Sequence, residues 1–292
     1  MRPKTGTTLT QIIQSLSDIS ARYDVVFCDL WGCVHNGRRA YPAALAALRL
    51  FKAKGGHVVL MTNAPRPSPS VIPGFDRLGI LPDAYDIVVS SGDAALAALQ
   101  AGLVGHRVYH IGPEKDDSLF AAAPAITRVP LAEAEGMVCT GPFHEESETP
   151  EDYRGTFLAA KARGLQLLCT NPDIVVDLGD KRIYCAGALA ELYDQMGGQS
   201  LYFGKPHPPI YDLARNRIAG LGISEDRILC VGDGILTDIK GGIAEGLDTL
   251  FISGGLAAEQ FGPDVENPDP ARLAAWLAAQ QSAPTAAIGR LR

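Results

Sequence analysis

Five side chains that could do chemistry stand at or just beyond the ends of short apolar runs: Asp29 after VVFC, Thr62 after HVVLM, Lys205 after SLYFG, Asp233 after RILCVG, and Asp238 five residues later in VGDGILTDIKGG. Together they match what metal-assisted phosphoryl transfer needs: a carboxylate nucleophile, a divalent cation to neutralise charge, and fixed donors around the transferring oxygens. Asp29 can attack phosphorus and form an aspartyl phosphate, which splits hydrolysis into two easier displacements. Asp233 and Asp238 are hard oxygen donors suited to Mg²⁺, which takes one or two carboxylates and keeps water and phosphate in its other positions. Thr62 offers a hydroxyl and Lys205 a point charge to phosphate oxygens, and Gly32, Gly232 and Gly234 let the backbone come close. Any one of these residues alone reads as a helix cap or turn residue. Three crowded carboxylates, however, repel one another without a cation, and their joint presence argues for metal and for chemistry.

The elements that must position them follow from the apolar runs. DVVFCDLWG, GHVVLMTNA, DIVVSSG, SLYFGKP, RILCVGDG and DTLFISGG lack polar alternation, which predicts strands covered on both faces. Stretches with helical spacing lie between them, at Tyr41 to Lys54, Asp93 to Gly102 and Pro208 to Leu221. Alternating strand and helix predict an α/β fold with a doubly wound parallel sheet, which places ligands at the carboxyl ends of its strands. All four strand ends are expected in that one sheet. Residues 104–200 carry strand-like runs of their own (HRVYHIG, GMVCTGPF, GLQLLCTN, DKRIYC) and a helical stretch from Glu151 to Arg163, enough for an inserted module. The tail QSAPTAAIGRLR is expected to be mobile.

The composition excludes several classes of protein. With 292 residues, 47% hydrophobic and 20% charged, the chain can bury a large core. A formal charge of −7 without a basic patch disfavours nucleic acid. No run approaches the ~20 apolar residues of a membrane span. The first ten residues lack a signal-peptide apolar region, so a cytoplasmic location is expected. The six cysteines form no C-x-x-C pair and read as small buried residues.

In order, DLWGCVHNG, LMTNAP, FGKPHPPIY and VGDGILTDIKGG resemble the four motifs of the haloacid dehalogenase superfamily of phosphohydrolases. CTNPDIVVD and IYCAGALAELYDQMGG resemble the inserted α/β cap of its class IIA members, which include phosphatases of N-acetylglucosamine 6-phosphate, 4-nitrophenyl phosphate and pyridoxal phosphate. The resemblance runs from about Tyr23 to Gly255. It implies a Rossmann-like core, residues 1–103 and 201–292, with a substrate-selecting cap, residues 104–200. It makes Asp29 the nucleophile and a metal ligand, adds the Trp31 backbone carbonyl and Asp233 to the Mg²⁺ shell, and puts Asp238 close behind. Thr62 and Lys205 would hold the phosphoryl group with Asn63 beside them, and cap residues Thr170, Asn171, Pro172 and Asp173 would face the leaving group. The expected partner is a small phosphorylated metabolite, and a homo-oligomer is compatible with the sequence.

One position departs from the pattern. The first motif usually reads D-x-D, its second Asp protonating the leaving alkoxide, and here that position is Trp31. An indole neither donates nor accepts a proton near pH 7, and a positioned acid–base group contributes about 10²–10⁴-fold. Four readings stay open: a phosphatase with a good leaving group or a borrowed acid such as His35; a phosphonatase or dehalogenase; a phosphotransferase; and a catalytically weak or inactive phosphate- or nucleotide-binding protein. Dehalogenation fits least, because such enzymes dispense with the metal that Asp233 and Asp238 imply. His207, two residues after Lys205, is a candidate substrate contact or a turn residue among prolines.

Overall fold

The computed structural model describes residues 10–178 and 181–292; the first nine residues of the expected core segment, and residues 179 and 180, lie outside the described residues. Its strands in chain order are β1 (Gln11–Ile12), β2 (Val25–Cys28), β3 (His57–Thr62), β4 (Ile87–Ser90), β5 (Arg107–Ile111), β6 (Thr127–Arg128), β7 (Gly136–Cys139), β8 (Gln166–Cys169), β9 (Val175–Leu178), β10 (Lys181–Tyr184), β11 (Gln199–Tyr202), β12 (Ile228–Gly232), β13 (Asp248–Ile252) and β14 (Ala286–Ile288). A seven-stranded parallel sheet runs β1-β14-β13-β12-β2-β3-β4, and a five-stranded parallel sheet runs β11-β8-β7-β5-β6. Strands β9 and β10 form a separate antiparallel hairpin.

The large sheet is doubly wound, as expected. All four residues of β2 are buried, so both faces of the strand are covered by helices. The helix Pro42–Ala53 buries Ala44, Leu45, Ala47, Leu48 and Phe51, a stripe with three- and four-residue spacing that packs on one face. Helix Pro208–Ala219 buries Ile210, Tyr211, Ala214 and Ile218 on the other. From β2 the chain builds outward through β3 and β4, then returns to build β12, β13 and β14 on the opposite side. The strand order therefore reverses between β2 and β12, and a crevice opens outside their carboxyl ends.

Two expectations need correction. The SLYF segment lies in β11, which pairs with β8 at the edge of the five-stranded sheet, from Gln199 opposite Gln166 to Tyr202 opposite Cys169. Its residues are only partly buried, the strand straddles the expected boundary at residue 200, and Lys205 therefore leaves a different sheet from Asp29, Thr62 and Asp233. The tail is ordered: Ala286, Ala287 and Ile288 are fully buried in β14 between β13 and β1, and Leu291 is buried too. Small apolar residues in a three-residue strand produce little periodic signal, and the neighbours that cover them are remote in sequence. Among the described residues no helix is long and apolar enough to cross a membrane.

Candidate active site

Asp29 follows β2 directly, and its N–H donates to the Val231 carbonyl of neighbouring β12 at 2.8 Å. The adjacent strand ends thus set Asp29 beside Asp233. The loop after Asp29 turns back through Gly32, whose φ of +79° is readily available only to glycine and whose added Cβ would stand 2.0 Å from Asp233 Oδ2. Asp233 Oδ2 accepts the Leu256 N–H at 2.8 Å, which fixes that carboxylate against the backbone from its other side. A turn of π-helix, Ile235–Ile239, then carries Asp238 back beneath the site, where its Oδ2 accepts the Gly234 N–H at 3.1 Å. Such π-turns are frequent at functional sites.

Lys205 joins these acids. Its Nζ donates to Asp29 Oδ1 and Asp238 Oδ1, both at 2.6 Å, and to the Met61 carbonyl at 3.1 Å, so its three N–H donors all have partners. Lys205, Asp29 and Asp238 are all buried. Burial alone would lower the lysine pKa, but Asp238 and Asp29 hold the ammonium well above its ordinary value. Burial drives Asp29 well above the usual carboxylate range against the pull of Lys205, with Asp238 and Asp233 adding to the rise. Asp233 is pushed up to about 7, by burial first and then by Asp238. One ammonium does not balance three clustered carboxyl groups, Asp29 and Asp238 buried and Asp233 half-buried, so an excess of acidic groups remains.

That excess, with hard oxygen donors, fits a divalent cation. Ligating atoms of Asp29, Asp233 and Cys33 lie within 4.8 Å of one another. Burial raises the Cys33 thiol far above its usual value, so it stays protonated and is a poor donor to a hard ion. The carboxylates of Asp29 and Asp233 remain as candidate ligands. All six cysteines are free and buried, as read from the sequence.

Thr62 ends β3 one strand away, and Asn63 after it is held on two sides. Asn63 Oδ1 accepts the Lys205 N–H at 2.8 Å, and its Nδ2 donates to the Lys205 carbonyl at 3.1 Å and to Asp173 Oδ1 at 2.8 Å. Asp29, Thr62, Asn63, Lys205, Asp233 and Asp238 are thus brought to one wall of a cavity of about 460 Å³. Asn171 and Asp173, on the loop after β8, line the facing wall with hairpin β9–β10. Thr170 does not reach the cavity: its hydroxyl is buried on the Cys139 carbonyl at 3.0 Å.

Three sequence candidates have other surroundings. The Trp31 indole lines the cavity, but its one N–H donates to the Asp177 carbonyl of β9 at 2.8 Å. The His35 ring packs edge-on against Trp31, accepts the Gly37 N–H through Nδ1, and does not line the cavity; burial lowers its pKa to about 4. His207 occupies the position before the helix Pro208–Ala219 without a side-chain capping hydrogen bond, stacks on Tyr202 and is likewise absent from the cavity wall. Sequence reasoning missed the polar group Arg66, Lys115, Asp116 and Glu145, all of which line the cavity. These residues sit in no recognisable motif, and only tertiary contact assembles them.

Comparison with known proteins agrees with this architecture. Residues 26–124 match a family model described as haloacid dehalogenase-like hydrolase, and residues 202–278 match a second, described as HAD-hydrolase-like. A solved hydrolase of the haloacid dehalogenase-like family from Brucella suis is 41% identical, with a TM-score of 0.84 over 96% of this chain and 100% of that one. The 5′-nucleotidase YutF of Bacillus subtilis is 27% identical over 87% of this chain and 98% of its own. The ribonucleotide monophosphatase NagD of Escherichia coli is 28% identical over 80% and 88%. With Asp29 at the end of a strand at the reversal of the sheet, the lysine between two acids, and this likeness along nearly the whole chain, the protein belongs to the haloacid dehalogenase-like hydrolases.

Proposed function

We propose that this hydrolase cleaves small phosphate monoesters through an aspartyl phosphate on Asp29, with Mg²⁺ as its cation. The observation that carries the reading is the buried Lys205 joined to Asp29 and Asp238 beside Asp233 at the sheet reversal. Asp29 attacks phosphorus, and the leaving-group oxygen departs on the opposite side. Thr62 and, through its positive charge, Lys205 stabilise the phosphoryl oxygens, Asp238 keeps Lys205 in place, and Asn63 sets its backbone. Asp29, Asp233 and the Trp31 carbonyl would hold Mg²⁺, which supplies charge neutralisation on the phosphoryl oxygens. The reading treats residues 104–200 as the cap, with Asn171 and Asp173 facing the leaving group from a cavity of small-metabolite size. The names of the relatives make nucleoside monophosphates and sugar phosphates the first esters to test.

The test is phosphate release from a panel of alkyl and activated aryl monoesters, with and without Mg²⁺, for the wild type beside Asp29→Asn. Metal-dependent release that falls by about 10⁴-fold or more in the variant is expected, the scale typical for loss of a nucleophile. Undiminished release in Asp29→Asn would sink the covalent route. Phosphate binding without release from any ester would mark a binding protein instead.

A further inference from the structure

With Trp31 at the usual acid position, the proton for the leaving group must come from another residue. In-line displacement expels the leaving oxygen on the side of phosphorus away from Asp29, so the donor is sought on the wall that residues 107–185 contribute. Four acids of that wall line the cavity: Asp116, Glu145, Asp173 and Asp177. Glu145 is paired with Lys115, and Asp177 with Arg182 at 2.7 Å. The Asp116 oxygens have almost no solvent exposure and face Arg66, whose Nε is 3.5 Å from Oδ1, with Lys115 and Thr140 beside them.

Asp173 differs from the other three. Its Oδ1 accepts from Asn63 Nδ2 at 2.8 Å, and no hydrogen bond among the described residues ends on Oδ2. Asn63 is itself clamped to the Lys205 backbone by two hydrogen bonds, so a single side chain ties the Asp173 carboxyl to the phosphoryl-binding pair Thr62 and Lys205. The loop has little freedom, since an added Cβ on Gly187 would meet the Asp173 carbonyl oxygen at 2.5 Å and one on Gly204 would meet Pro172 Cδ at 2.4 Å. A carboxyl on the cavity wall, tied to the phosphoryl-binding pair and with one uncommitted oxygen, has what a general acid needs.

We propose that Asp173 is the proton donor to the leaving group and then the base for the attacking water, a role the first motif cannot fill with Trp31. The assignment rests on the phosphatase reading above. In the first step the Asp29 Oδ–P bond forms, the P–O bond to the leaving group breaks, and the Asp173 proton passes to the departing oxygen. In the second step water oxygen bonds to phosphorus, the Asp29–P bond breaks, and the water proton returns to Asp173. Burial pushes Asp173 up to about 6 against the pull of Lys205 and Asn63, so a protonated fraction persists near neutrality. The other ionisable groups facing it are Asp238, Asp233 and the thiols of Cys169 and Cys185.

The experiment compares kcat/KM of wild type and Asp173→Asn, with Mg²⁺, on an alkyl phosphate that the wild type hydrolyses and on 4-nitrophenyl phosphate. Asn retains the shape and an acceptor for Asn63, but carries no transferable proton. The expected result is a loss of about 10²-fold or more on the alkyl ester and less than about 3-fold on the aryl ester, whose anion leaves unaided. The retained aryl rate also reports that the variant is folded and its phosphoryl site intact. Equal losses on both esters, or no loss on either, would overturn the assignment while leaving the phosphatase reading in place. No hydrolysis of either ester by the wild type would remove both.

Discussion

The two walls of the cavity are built on different principles. On the wall of the seven-stranded sheet the buried charges have close partners: Lys205 uses its three donors on Asp29, Asp238 and Met61, and Asp233 takes the Leu256 N–H. On the facing wall the partners stand farther apart, with Arg66 Nε 3.5 Å from Asp116 Oδ1. Hairpin β9–β10 meets the first wall through the Trp31 indole N–H and a long 3.5 Å contact from Arg182 to the Leu256 carbonyl, and Lys181 ties it to Glu146 at 2.7 Å. Buried charges in a low-dielectric site are costly unless one geometry satisfies them, so the first wall has little latitude. The acid–lysine cluster is held by several hydrogen bonds at once, and on the facing wall the Asp173 carboxyl is tied to the same cluster through Asn63.

Three substitutions sharpen or break that contrast, and the largest effect is expected at Lys205. Lys205→Met removes the cation between two buried acids and should cost about 3–5 kcal/mol of stability, the range for breaking a buried ion pair from one side. A shift of the denaturant midpoint measures this; an unchanged midpoint would mean that the first wall is not held together by its charges. Gly32→Ala comes next. A Cβ there strains a backbone at φ +79° and presses on Asp233 Oδ2, so the Mg²⁺ needed for half-activity should rise about 10-fold, a typical cost of disturbing the support of a metal ligand. A metal titration that is unaffected would separate Asp233 from the shell. The smallest effect belongs to the second wall: Trp31→Phe deletes one hydrogen bond worth about 1 kcal/mol, so KM should rise about 5-fold with kcat nearly unchanged. A collapse of kcat instead would place Trp31 in the chemistry rather than at the hairpin.

Much of the first wall was legible in the chain itself. Asp29, Thr62 and Asp233 each follow an uninterrupted apolar run, and a strand covered on both faces needs no other signature. The order of those strands, together with Asp238 five residues past Asp233, was enough to indicate a crevice lined with acids. The absence of a second acid at Trp31 was equally plain.

Tertiary structure decided the rest, because it depends on contacts between residues far apart in sequence. An apolar run does not name its partner strand, so β11 joined β8 in the smaller sheet, and Lys205 reached Asp29 across 176 positions from there. Strand β14 was invisible because three small residues become a strand only when β13 and β1 flank them. The sequence assigned Asp173 no more than a place facing the leaving group. Its tie to Asn63, 110 residues away, and the engagement of the Trp31 N–H by the hairpin make it the acid to test. Local runs determine which residues can end a strand; only packing determines which of those ends meet and which polar atoms remain without partners.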